Sequence, residues 1–143
     1  MRHRIYLASS WRNADQQNLV SVLRHTGHDV YDFKNPKDGQ TGFNWREIDP
    51  DWQNWTAAQY RDALGTQTAL RGFDADFSAM DWADTCVLLL PCGRSAHLEA
   101  GYMAGEKKRV IVVTKDGEEP ELMALLADTI CINWGELLKA LEL

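Results

Sequence analysis

Positive charge is in short supply in this chain: 15 Lys and Arg stand against 21 Asp and Glu, a formal net charge of −6. Neutralising a phosphate backbone takes clustered cations, so this balance argues against a non-specific nucleic-acid binder. A small anion held by one loop stays compatible with it. Long apolar runs are missing as well. None approaches the ~20 residues of a membrane span, and Met-Arg-His-Arg leads straight into a strand, so the cytoplasm is the expected compartment. Cysteine is scarce, with three in 143 residues. There is no Cys-x-x-Cys pair, and His3, His25, His28 and His97 show no ligand spacing, so no metal site is expected. Cys86 and Cys131 fall in predicted core strands and read as small buried apolar residues. Cys92 falls in a loop, either as a reactive thiol or as an incidental one; without a partner at motif spacing it ranks as incidental. Internal repeats, low-complexity tracts and linkers are absent too.

What is present is an ordinary globular composition, 45% hydrophobic and 25% charged, in a length that suits a single domain over residues 1–143. Short apolar segments at 4–8, 28–33, 85–90, 109–114 and 129–132 read as strands. After the first comes an amphipathic helix with Leu19, Val22 and Leu23 on one stripe, ended by Gly27. Further helices are expected at 54–64, 67–83, 96–104, 121–126 and 135–141. A strand, helix and strand this close to the N-terminus make a crossover unit with a parallel pair. The alternation predicts an α/β fold: a flavodoxin- or Rossmann-like, doubly wound, mostly parallel five-stranded sheet with helices on both faces.

The stretch from 84 to 105 organises the rest. Residues 85–90 are apolar without alternation, as in a strand buried on both faces. Pro91, Gly93 and Ser95 break it, and a helix then runs until Gly105 and Lys107-Lys108 stop it. Ligands of open α/β sheets sit at the carboxyl ends of such strands. Glu99 falls in the opening turns of that helix, where the helix dipole and nearby N–H groups favour an ionised carboxylate, as a nucleophile needs. The plainer reading is a Glu favoured at a helix start for electrostatics alone. Gly101 counts against it, because Gly inside a helix costs ~1 kcal/mol relative to Ala. With Ala100 and Ala104 it makes a helix small enough for close backbone or ligand approach.

Two other segments carry candidate contacts. The first loop holds Ser9, Ser10 and Arg12, the parts of an anion site: hydroxyls, helix-start amides and a guanidinium. Helix capping by a serine is the competing and compatible role. Residues 34–56 have no clean period and combine Pro36, Gly39, Gly42 and Pro50 with Phe43, Trp45, Trp52 and Trp55. A long irregular segment inside a compact domain reads as a lid or insertion. Its aromatics either stack on a planar ligand, with Trp45, Arg46 and Asp49 as contacts, or pack on their own domain or a dimer interface.

At this point the chain resembles the nucleoside 2-deoxyribosyltransferase-like N-glycosidases, which include the deoxynucleoside 5′-monophosphate N-glycosidases. Three segments carry the likeness: Ile5-Tyr6-Leu7-Ala8-Ser9-Ser10-Trp11-Arg12; Asp76 on a helix eight residues ahead of Asp84; and the loop Gly93-Arg94-Ser95-Ala96-His97 running into Leu98-Glu99-Ala100-Gly101-Tyr102. The layout matches over most of the chain, the residues mostly outside 34–70. The resemblance implies that Glu99 attacks the anomeric carbon, that Asp76 is general acid or base at the leaving nucleobase, and that Tyr6 orients the glutamate or sugar. Two nearby carboxyl groups in different environments suit glycosidic cleavage. Transferases of the family have an Asp six residues before the nucleophile, where this chain has Gly93. The monophosphate hydrolases have a hydroxyl-bearing phosphate loop there, and Ser95 lies close by. Arg94 and His97 are bulkier or more polar than the family usually carries, and can serve a phosphate themselves. The resemblance further implies a nucleoside or nucleotide as the small-molecule partner, no cofactor, no nucleic-acid polymer, no membrane, and homodimers or higher homo-oligomers. Trp11 and the lid tryptophans offer apolar surface for such an interface.

Two readings compete on the same fold. One is an NAD-cleaving enzyme similar to the Toll/interleukin-receptor domains, which also place a glutamate on a helix. The other is a non-catalytic nucleotide-binding or sensing module in which Glu99 only contacts a ribose hydroxyl.

Overall fold

The computed structural model describes residues 1–36 and 40–143; the part of the predicted lid around Gly39 lies outside them. In chain order the elements are β1 (Arg4–Ala8), α1 (Gln16–His25), β2 (Asp29–Tyr31), 3₁₀ helices at Trp45–Glu47 and Trp52–Asn54, α2 (Ala57–Ala63), α3 (Gln67–Trp82), β3 (Thr85–Leu89), α4 (Arg94–Gly105), β4 (Arg109–Val113), a 3₁₀ helix at Leu122–Leu126, β5 (Thr129–Cys131) and α5 (Trp134–Leu141). They fall into two compact units, one of residues 1–32 with 80–143 and one of residues 33–79. Among the described residues no helix is long and apolar enough to cross a membrane.

The first unit holds the expected five-stranded sheet. Its strand order is β2-β1-β3-β4-β5, and every pairing is parallel. β2 is shorter than expected, because the chain leaves the ladder at Asp32, whose carboxylate accepts from the Gln16 and Gln17 amides at 3.0 and 2.9 Å. Side-chain parity divides the core. Ile5, Leu7, Val87, Leu89, Ile111 and Val113 pack against Leu19, Val20 and Leu23 of α1 and Leu137 and Leu141 of α5. The intervening Tyr6, Ala8, Cys86, Leu88, Val110 and Val112 are also buried and point the opposite way. There α4 lays down Ala96, Ala100 and Met103 over β3, flanked by β1 and β4. Burial on both faces is the reason these strands show no alternation. In α1 the buried stripe is Leu19, Val20 and Leu23, with Val22 only half-buried. Gly27 (φ 98°) follows the helix in the left-handed region, where a side chain would be strained.

The second unit is built from capped short helices around Trp45. Asn44 and Glu47 form one capping box and Thr56 and Gln59 another. The Trp45 ring meets Phe43, Trp55 and Tyr60 edge-on, with centroids 4.8, 5.7 and 6.0 Å away. A Cβ on Gly72 of α3 would come within 2.8 Å of Phe43 Cβ, so Gly72 is what lets α3 pass that ring.

Candidate active site

In a doubly wound sheet, ligands bind outside the carboxyl ends of the strands where the strand order reverses. Here that point lies between β1 and β3. Tyr6, in the middle of β1 and 1% exposed, points to the α4 side. Its hydroxyl donates to Glu99 Oε2 of α4. The ring is fixed from behind by Tyr31, its in-register neighbour on β2, with centroids 5.4 Å apart and planes 17° from parallel. Glu99 itself is half-buried.

The local electrostatics differ from the expectation. α4 begins at Arg94, two residues earlier than the pattern suggested, and its first turn holds no acidic residue. Glu99 therefore sits in the second turn. Backbone N–H groups there are consumed by intrahelical bonds, and the dipole effect has largely faded. The Tyr6 hydroxyl, from another element, donates to the Glu99 carboxylate. The free N–H groups belong to the turn that follows Gly93, whose N-cap position carries no side-chain cap. Gly101 also differs: a Cβ there would meet nothing within 4 Å, so no close backbone approach requires it.

Two loops meet at this edge. Ser9 Oγ donates to Leu89 O at 2.9 Å and Asn13 Nδ2 to Pro91 O at 3.1 Å, tying the end of β1 to the end of β3. Neither serine caps α1, which starts only at Gln16. Ser10 Oγ instead accepts from Arg12 N at 3.1 Å, closing a turn within the loop. The Arg12 and Arg94 side chains are exposed and have no hydrogen-bond or ion-pair partner among the described residues. Ser95 is exposed, and His97 Nδ1 donates to Gly93 O at 2.9 Å. The Leu90–Pro91 peptide is cis. Cys92 lies beside this turn, its sulfur 3.7 Å from His97 Nδ1. Burial, then the charges of Glu118 and Glu99, push its thiol up to about 11, which leaves it protonated at neutral pH.

The first unit thus brings together Tyr6, Ser9, Ser10, Arg12, Gly93, Arg94, Ser95, His97 and Glu99. Four other expected site residues, Trp45, Arg46, Asp49 and Asp76, belong to the second unit, Arg46 with an exposed side chain. Asp76 lies half-buried on α3. Asp49 accepts from Asp51 N at 2.9 Å and Trp55 Nε1 at 2.8 Å, and these bonds hold its carboxyl below the usual range. Trp45 is the centre of the aromatic cluster. Asp84 is at the opposite end of the sheet, where its carboxylate accepts from Arg4 N at 3.1 Å and Thr85 Oγ1 at 2.7 Å. Sequence reasoning missed Tyr31 and Asn13. Their roles depend on strand register and loop contact, which leave no local signal.

No protein-family model matches the chain, and no curated protein does. Solved structures do. The 2-deoxyribosyltransferase from the psychrotolerant bacterium Bacillus psychrosaccharolyticus superposes with a TM-score of 0.61 at 23% identity, over 96% of this chain and 90% of that one. The Clostridium botulinum CMP N-glycosidase BcmB superposes with a TM-score of 0.54 at 16% identity, over the whole of both chains. At these identities the likeness shows the fold. This chain has the α/β fold shared by a nucleoside deoxyribosyltransferase and a CMP N-glycosidase.

Proposed function

We propose that this protein is an enzyme that cleaves the N-glycosidic bond of a nucleoside or nucleoside 5′-monophosphate, with Glu99 as nucleophile. The observation that carries the reading is the Tyr6–Glu99 pair at the β1/β3 reversal point. A carboxylate held by a buried phenol beside a ligand crevice has the position and the orienting partner that covalent catalysis needs. The two neighbours, named for deoxyribosyl transfer and for CMP N-glycosidase activity, support the same bond as the target.

In this reading a Glu99 oxygen forms a bond to the anomeric carbon as the carbon–nitrogen bond breaks. The bonding pair leaves with the base, and Asp76 supplies the proton that neutralises it. Water, deprotonated by Asp76, then opens the glycosyl ester and makes the enzyme a hydrolase; a second base in its place makes it a transferase. A 5′-phosphate is assigned to the uncapped N-terminal turn of α4, with Arg94, Ser95, His97, Ser10 and Arg12 around it. Ser9 can donate there only by releasing Leu89 O. Trp45 and Asp49 are assigned to the base. The working form is a homodimer or higher homo-oligomer.

The test is product analysis of wild type and Glu99→Gln with a panel of NMPs, dNMPs, nucleosides and NAD, the released base being measured by chromatography. Release by wild type from a nucleotide or nucleoside, lost in Glu99→Gln, is the expected result. Release from NAD alone would move the substrate to the NAD-cleaving reading. Thermal stabilisation by one of these ligands without any release would sink the enzyme and leave a sensor.

A further inference from the structure

The loop after β1 is pinned to the carboxyl ends of its neighbours at three points. Ser9 Oγ donates to Leu89 O at 2.9 Å, where β1 and β3 end. Asn13 Nδ2 donates to Pro91 O at 3.1 Å, two residues beyond β3. Gln16, the fully buried first residue of α1, donates from Nε2 to Asp32 Oδ1 at 3.0 Å, one residue past β2. Between the first two pins hang Ser10, Trp11 and Arg12. Their bight is also closed from within, since Asn13 N donates to Ser10 O at 3.0 Å and Arg12 N to Ser10 Oγ at 3.1 Å. The backbone that carries Arg12 is therefore fixed while its side chain stays exposed.

Asn13 is the middle pin, and it serves both loops. Its side chain is buried and both ends of its amide are used, Oδ1 accepting from Asp15 N at 2.9 Å. That half of its bonding is ordinary turn chemistry, which Asp or Ser would supply as well. The other half is not required by any turn. A buried amide donor spans 78 residues of chain to fix the Pro91–Cys92 peptide, which leads into the N-cap Gly93 of α4. Asparagine can do both because it carries an acceptor and a donor on one short planar group.

We propose that Asn13 is the positioning residue for a 5′-phosphate. By holding the Arg12 bight against the turn that opens α4, it makes one anion site of two loops, and so sets the preference for monophosphates over nucleosides. Ordering loose donors at the moment of binding costs free energy, so an anion is held well only by donors already in place. No side chain among the described residues holds the Arg12 or Arg94 guanidinium, so the backbone beneath each must place it. Gln16 and Asp32 brace the same loop from its far end, since Gln16 N donates to Asn13 O at 3.4 Å. In this role Asn13 acts through its neighbours and not on the substrate. The inference rests on the phosphate assignment of the preceding reading and names the residue that sets its strength.

The test compares wild type, Asn13→Ala and Asn13→Ser on the NMP and dNMP panel and the matching nucleosides. Serine keeps a short acceptor for Asp15 N but cannot reach Pro91 O, so it separates the staple from the local turn. In both variants the ratio of kcat/KM, monophosphate over nucleoside, is expected to fall about tenfold, as for one net hydrogen bond lost. The loss should lie in KM for the monophosphate and not in kcat. In an Arg12→Ala background, Asn13→Ala should change the ratio by less than about threefold, because the group it positions is gone. An unchanged ratio overturns the proposal. So does an equal loss on both substrates, or an undiminished loss in the Arg12→Ala background. Calorimetry with inorganic phosphate gives a readout without turnover, its affinity expected to fall about tenfold in Asn13→Ser. Phosphate binding that depends on Asn13, in a protein that releases no base, leaves this inference standing while the glycosidase reading falls. Base release with no phosphate binding does the reverse.

Discussion

The Tyr6 hydroxyl donates a hydrogen bond to Glu99 Oε2 across 93 residues of chain, joining the middle of β1 to the second turn of α4. Since Tyr6 is buried and stacked on Tyr31, the phenol cannot swing away without disturbing the sheet. The carboxylate is therefore held by the core itself.

Tyr6→Phe keeps the ring and its stacking while removing the donor. Hydrogen bonds to charged groups are worth ~1.5–3 kcal/mol, so base release is expected to slow by about 10- to 100-fold. Melting should stay within a few degrees of wild type. Steady-state rates and a thermal melt check both halves. Unchanged turnover would remove Tyr6 from the site.

Gly93→Asp places a carboxylate at the uncapped N-cap of α4, where a Cβ meets nothing within 4 Å. Asp satisfies the first-turn N–H groups and is favoured there by the dipole, but Gly in place of Asp costs only a few tenths of a kcal/mol, so the melting temperature should rise slightly. The same charge repels a phosphate. Use of 5′-monophosphates should fall at least tenfold relative to the matching nucleosides, read as the ratio of kcat/KM values.

His28 is nearly buried and stacked on His3, with ring centroids 5.3 Å apart, and its Nδ1 accepts from His3 N at 3.1 Å. Burial first, then the charges of His3 and the N-terminus, hold its imidazole below the ordinary 6.5, against the opposing pull of Asp84 and Asp29. The native state thus binds fewer protons than the unfolded chain over this range, and stability rises with pH. His28's contribution is complete above about pH 6.5 and is lost as pH falls through the lower native value. Melting temperatures from pH 8 to 5 should show that decline, and His28→Asn should flatten it. An equally steep decline in the variant would assign the effect to other groups.

Gly72→Ala sets two effects against each other. Alanine favours the helix by ~1 kcal/mol, but its Cβ would sit 2.8 Å from Phe43 Cβ, close to the backbone where little can give. Overpacking costs ~1–3 kcal/mol, so a net loss of about 1 kcal/mol is expected in denaturant titrations. A gain would show that the Phe43 ring moves freely.

Cys92 should be a slow thiol. With its proton held up to about 11, alkylation by iodoacetamide at pH 7 is expected to be far slower than that of an unperturbed cysteine, and Cys92→Ser should keep its base-release rate. Inactivation that tracks labelling of Cys92 would put the sulfur in the site.

The sequence by itself determined the elements and the class of fold. Apolar runs such as 109–113 have room for only one structure, a strand buried twice over, and the Gly and Pro breaks mark their ends. The serine loop, the Gly93–His97 turn and Glu99 could be picked out because helix starts and loop chemistry are local. What only the tertiary structure decided is everything that depends on register and crossing. The strand order β2-β1-β3-β4-β5 sets the reversal point, and nothing along the chain encodes it. Tyr31 stands behind Tyr6 because the two share a register position, and Tyr6 meets Glu99 because α4 crosses the sheet over β3. α4 begins two residues earlier than the pattern suggested, which carries Glu99 into the second turn, beside the Tyr6 hydroxyl that the resemblance had set against it.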